Sequence, residues 1–275
     1  MHPFGIRPAY GRRVGGVPIG KRLRRAHATA DRWVRRAHLA YGVTDAVAHR
    51  LGRDVITVLG DSHARAFYAV RQQRLVPGVW FDVVAVSGAT ALGLANPNSK
   101  TNALERYRSA LRTVPLERKT LLMLGEVDCG FLIWLRADAG GSSVADELEQ
   151  SIRHYEDFAA ELLAGGRRRL ALVSAPVPTV DDYATWEGLS NHRRSVRAGI
   201  GERTELTVAF NARIQAWTSD HGCAYVDLDS AVLDPATGLV RDEYRNPDPQ
   251  DHHLNREPLV RLLARRVVDL DWPPA

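Results

Sequence analysis

Ser62 and a pair of histidines near the far end of the chain are the residues best suited to nucleophilic chemistry. Ser62 lies in the stretch 54–63, Asp-Val-Ile-Thr-Val-Leu-Gly-Asp-Ser-His, where a short apolar run breaks at Gly60. A serine hydroxyl is a weak nucleophile until a base reaches it and a third group orients that base. Both kinds of partner occur together in Asp248-Pro-Gln-Asp251-His252-His253-Leu254-Asn255. Between these stretches stand Ser87-Gly88-Ala89-Thr90 and Gly125-Glu126-Val127-Asp128-Cys129. Glu126 and Asp128 could flank a glycosidic bond as paired acids, but sequence spacing does not measure their separation. One of the two is expected to serve structure, accepting N–H bonds from neighbouring loops. Cys129 has no positive neighbour in sequence to lower its pKa, so an inert buried thiol is expected. His252 and His253 carry the residue type of a metal site. Adjacent side chains on an extended chain point to opposite sides, however, so no metal is expected there. His63 reads equally well as a surface histidine at a helix start or as a substrate contact.

The elements that position these residues follow from hydropathy. Apolar runs occur at Val55–Leu59, Phe81–Val86, Thr120–Leu124, Leu170–Val173 and Ala224–Leu228. They are short and rich in Val, Leu and Ile, as strands buried on both faces should be. Helical segments separate them, over Ser62–Arg74, Ala103–Val114, Ser143–Ala164, Thr204–Ser219 and Arg256–Leu270. Ser143 with Asp146 has capping-box spacing, and Gly165-Gly166 ends that helix. Strands alternating with helices predict a three-layer α/β fold with a five-stranded parallel sheet in flavodoxin-like order. The site of such a fold lies at the C-terminal strand ends, which is where the four polar stretches fall. The segment 176–203 carries Arg193, Arg194, Arg197 and Arg203. It reads as a solvated face, or as a loop binding a carboxylate or phosphate.

In order and in content, these four stretches resemble the blocks of the SGNH (GDSL-type) hydrolases, from about residue 54 to the end. Gly60-Asp61-Ser62 matches the first block, and Ser87-Gly88 the second in position. Gly125-Glu126-Val127-Asp128 matches the third, except that Val127 stands where that family has asparagine. The last block has no aspartate three positions before either histidine; Pro249 and Gln250 stand there. His253-Leu254-Asn255 resembles the usual continuation, which makes His253 the better base. The resemblance implies a serine esterase acting on an oxygen ester through an acyl-serine intermediate, with an O-acetylated carbohydrate as one substrate class. Acyl transfer to a sugar on the same fold, or a non-catalytic glycan-associated role, are the alternatives. Ser62 would be the nucleophile, His253 the base and Asp251 its orienting acid, with Asp248 as substitute. Ser62 and Gly88 would donate backbone N–H groups to the oxyanion, and Asn96 or Asn98 would stand in for the missing asparagine. No cofactor is implied. The Gly-x-Ser-x-Gly elbow of another hydrolase class is not met, because Ala64 occupies the second glycine position.

The chain has 275 residues, 45% hydrophobic and 25% charged, enough for one large domain with an arm. Residues 1–53 hold 12 Lys/Arg and 2 Asp/Glu, a balance of +10; the rest holds 25 and 30, a balance of −5. The basic character therefore belongs to an N-terminal arm, expected to be partly helical over 21–41, and the domain 54–275 is mildly acidic. Nucleic-acid binding is not implied. The arm reads as a helix packed on the body or a solvated basic extension, with a weak contact to an anionic membrane surface or protein as the sharper alternative. Two cysteines make no disulfide framework and no apolar run spans a bilayer, so a cytoplasmic setting is expected.

Overall fold

The computed structural model describes residues 52–181, 196–249 and 251–275. The arm expected over 1–53 lies outside these residues up to position 51, as do Arg193 and Arg194. Five strands form one sheet: β1 (Asp54–Gly60), β2 (Val79–Ala85), β3 (Thr120–Met123), β4 (Leu170–Val173) and β5 (Ala224–Val226). Their order is β2-β1-β3-β4-β5 and every pairing is parallel. The helices are α1 (Ala66–Gln72), α2 (Ala103–Leu111), α3 (Ile133–Asp138), α4 (Val144–Ala164), α5 (Ile200–Asp220), α6 (Asp229–Val232) and α7 (Arg256–Val268).

Strand periodicity sorts the core into two layers. Ile56, Val58, Leu121 and Met123 face α1 and α7, meeting Phe67, Val70, Leu259 and Leu263. Leu59, Val84, Leu122 and Leu124 face α2, α4 and α5, meeting Tyr107, Tyr155, Phe158 and Phe210. Alternate residues of one strand thus serve opposite faces, as the two-residue side-chain period requires. The helices are started by the devices their sequences carry. Ser143 Oγ accepts the Asp146 N–H at 3.1 Å, and the Asp146 carboxylate accepts the Ser143 N–H at 3.0 Å. This reciprocal pair begins α4 where the spacing predicted it.

Two glycines at strand ends are dictated by close approach. A Cβ on Gly60 would lie 2.4 Å from the Met123 carbonyl oxygen and 2.8 Å from the Ala64 Cβ. One on Gly125, at φ +120°, would lie 2.6 Å from a Phe210 ring carbon. The first lets the serine turn lie tight against β3; the second lets the Glu126–Asp128 turn leave β3 under α5. Tyr107 adds a clamp by donating from its hydroxyl to the Gly60 carbonyl at 2.8 Å.

Candidate active site

The turn after β1 carries Ser62 in ordinary right-handed backbone geometry, φ −65° and ψ −25°, ahead of a 3-10 turn His63–Arg65. Its hydroxyl does not cap that turn. Asp61 does so instead, accepting the His63 N–H at 2.8 Å. The common structural use of a serine at a helix start is thereby taken by its neighbour, and the Ser62 hydroxyl is left for other work.

That hydroxyl meets the C-terminal loop. His253 Nε2 lies 2.9 Å from Ser62 Oγ, across 191 positions of sequence. His253 Nδ1 lies 2.6 Å from Asp251 Oδ1, and the same oxygen accepts the His253 backbone N–H at 2.9 Å. One carboxylate oxygen therefore fixes both the ring and the backbone of the histidine. This holds the proton on Nδ1 and points the Nε2 lone pair at the serine. The loop itself is tied down: Asn246 donates from its side-chain amide to the His253 carbonyl, and Asn255 N–H donates to the Tyr244 carbonyl. Burial, followed by the nearby His63, holds the His253 pKa below its ordinary 6.5, against the opposing pull of Asp251. Asp251 is held below the carboxylate range by its bonds to His253, which outweigh burial. Asp248, the substitute acid, contributes its backbone carbonyl to the Asp251 N–H at 3.0 Å. It is Asp251 that meets the His253 ring.

Beneath this group lies a second, buried one. His63 is 2% exposed, not a surface residue, and its Nδ1 is 3.1 Å from Asp61 Oδ1 and 3.9 Å from Glu126 Oε2. Its ring centroid is 4.4 Å from that of His253. A histidine directly after the nucleophile gives no sequence signal for this role; only the fold stacks it under the C-terminal loop.

The other acid of the third block is structural. Asp128 is fully buried and accepts the N–H groups of Ala91 and Leu92 at 2.8 and 3.0 Å, and the Ser151 hydroxyl at 3.0 Å. It fastens the loop that follows Gly88 to the end of β3. Burial raises its pKa to about 6, with the three hydrogen bonds opposing. Asp128→Asn would turn an amide N–H2 toward one of those donors. Its unfolding free energy should fall by about 1–3 kcal/mol, the cost of an unsatisfied buried group, as read by urea denaturation.

Donors for an oxyanion are available at two places. Neither the Ser62 nor the Gly88 backbone N–H donates to another described residue. Gly88 has φ +72° in the loop after β2, beside β1, whose last residue pairs with Ala85. Arg65 closes the mouth there, donating to Ser87 Oγ at 2.6 Å. Val127 is buried and offers no donor.

Asn96, expected to replace the missing donor, lines a different cleft. Asn96 is exposed and its side-chain carbonyl accepts the Asn98 N–H at 2.9 Å. It lines a cleft of about 420 Å³ between α2 and α4, with Arg108, His154 and Glu161. Among the described residues, no hydrogen bond joins it to Ser62, Gly88 or His253. Asn96→Ala should therefore leave ester turnover within about twofold of the parent in a steady-state assay, because such a substitution outside the site moves little.

Two further expectations resolve. Arg203 is fully buried and donates to the carbonyls of Val180, Asp181 and Ala198, so it holds the chain rather than a substrate anion. Cys129 is buried, and burial raises its thiol pKa well above the ordinary value, as expected of an inert thiol.

A 2-1-3-4-5 parallel sheet with a Gly-Asp-Ser turn after β1 and an Asp–His pair before the last helix is the fold of the SGNH (GDSL-type) hydrolases. Solved structures agree. The chain is similar to a GDSL-like lipase from Bacteroides thetaiotaomicron, at 12% identity and a TM-score of 0.51, covering 78% of this chain and 87% of that one. It is similar to an aryl esterase from M. smegmatis, at 15% identity and a TM-score of 0.52, covering 79% of this chain and all of that one. No family model and no curated protein matches the sequence.

Proposed function

We propose that this protein is a serine esterase that cleaves an oxygen ester through an acyl-serine intermediate. The observation that carries the reading is the unbroken line Ser62 Oγ, His253 Nε2, His253 Nδ1, Asp251 Oδ1, with its steps at 2.9 and 2.6 Å. As Ser62 attacks the ester carbonyl, His253 takes the hydroxyl proton on Nε2, and Asp251 stabilises the resulting imidazolium. The same proton goes to the departing alkoxide. Water then enters, loses a proton to His253 and releases the acid. The Ser62 and Gly88 N–H groups face the developing oxyanion. With Val127 in place of asparagine, a third donor is missing, and one such donor is worth about 2.7–4 kcal/mol. Turnover should be correspondingly modest.

Polar side chains lie near the serine: Arg65, bonded to Ser87, and His252, its ring beside that of His253. That suits a small acyl group on a polar alcohol, and an O-acetylated carbohydrate is the substrate class we put first. A sugar hydroxyl in place of water at the second step would make the same machinery an acyltransferase. Both thiols are free, in keeping with a reducing, cytoplasmic setting; among the described residues no helix is long and apolar enough to cross a membrane.

The test is covalent. A fluorophosphonate probe should label the folded protein at Ser62, identified by peptide mass spectrometry, and short-chain aryl esters should be hydrolysed. Absence of both, with the fold intact, would favour the non-catalytic glycan-associated alternative.

A further inference from the structure

Three imidazoles converge at the serine. His63 comes from the turn after β1, and His252 and His253 from the loop before α7. Ring centroids lie 4.1 Å apart for His252 and His253, 4.4 Å for His63 and His253, and 5.6 Å for His63 and His252. One ring nitrogen from each lies within 4.8 Å of the others. The sequence argument against a metal assumed an extended chain that throws adjacent side chains to opposite sides. That assumption fails here: Asp251 binds both the backbone N–H and the ring of His253, which bends the chain and leaves both rings on one side.

The surroundings match what transition-metal imidazole sites use. In such sites the ring nitrogen away from the ion is held by a carboxylate, which fixes the tautomer and raises ligand basicity. Here Asp61 holds His63 Nδ1 and Asp251 holds His253 Nδ1. Glu126, 1% exposed and next to His63, adds a further acid near the cluster. Several carboxylates beside a cluster of imidazoles favour a dication, and nitrogen ligands favour zinc, copper or nickel over calcium or magnesium.

We propose that His63, His252 and His253 form an inhibitory binding site for a transition-metal dication such as Zn2+. The ion takes the lone pair of His253 Nε2, and water fills the fourth position. While it is bound, Ser62 has no proton acceptor, so acylation stops. The ion also ties the C-terminal loop to the end of β1. It is a reversible block, not a cofactor. The inhibitory half of this inference rests on the esterase reading; the binding half does not.

The experiment separates the two. Equilibrium dialysis of the full chain against Zn2+ alone measures binding, without reference to activity. The parent should bind one ion that His252→Gln weakens at least about tenfold, in line with the cost of perturbing a metal's supporting residues. His63→Gln should do the same, and thermal melts check that both variants fold. Zn2+ should also suppress fluorophosphonate labelling of the parent, read as the ratio with and without ion in each protein, and His252→Gln should shift that suppression to at least tenfold higher Zn2+. Equal Zn2+ affinity in the parent and His252→Gln would overturn the site. Tight, His252-dependent binding with labelling unaffected would overturn the inhibitory role. A protein that binds Zn2+ as expected but never labels would count against the esterase reading alone.

Discussion

Ser62→Ala lowers hydrolysis of a short-chain aryl ester by about 10⁴-fold or more, and probe labelling disappears with it. The size follows from what is lost. The variant keeps the base, the orienting acid and both backbone donors, but no atom remains to form the acyl intermediate. The loss should fall on kcat rather than KM, since the missing oxygen bonds substrate only as the reaction proceeds. Stability should scarcely change. The hydroxyl makes no capping bond, and the Asp61 carboxylate caps the turn. A melt that coincides with the parent's, together with lost turnover, is the expected pair of results. Retained turnover would end the serine mechanism.

Asp251→Asn lowers kcat by about 10²–10⁴-fold, because an amide can donate to His253 Nδ1 and hold the wrong tautomer. It also moves the pH profile, and the direction is informative. In the parent, burial holds the His253 pKa below 6.5, so kcat/KM should rise with pH through a value under 6.5 and then level off. The Asp251 carboxylate pulls that pKa upward. Removing its charge lets the pKa fall further, so the acid limb shifts to lower pH while the plateau drops. A residue that merely supported the loop would lower the plateau without moving the limb. pH–rate profiles of the two proteins make the distinction.

The architecture could be read from sequence because strands and helices are written locally; Ser62, His253 and Asp251 were singled out by the resemblance of their blocks, and their roles belong to the proposed mechanism. β4 is four consecutive apolar residues, and its expected bounds, Leu170–Val173, are the observed ones. Ser62 follows a strand that ends in a required glycine, while the choice of His253 with Asp251 rests on the resemblance of the last block. Other features, some set by distant packing and one by an unusual local cap, were not readable. β5 was expected to reach Leu228 but ends at Val226, because the Leu228 N–H turns to Ser174 Oγ and leaves the sheet. α5 was expected from Thr204 but begins at Ile200, where the Glu202 carboxylate reaches back to the Gly199 N–H. One turn of wide π-type helix, Asp128–Leu132, precedes α3. His63, Arg203 and Asn96 have side chains whose roles depend on which distant loop arrives beside them. Nothing in their own neighbourhoods announces a buried imidazole, a buried guanidinium or a turn facing another cleft.

On the proposed mechanism, the 191 positions between Ser62 and His253 have a consequence during biosynthesis. At about 5–20 residues per second, roughly ten to forty seconds pass between translation of Ser62 and of His253. Throughout that interval the nascent polypeptide carries an inert hydroxyl, whatever ester surrounds it. On that mechanism, a product that stops before His253 would be silent for the same reason.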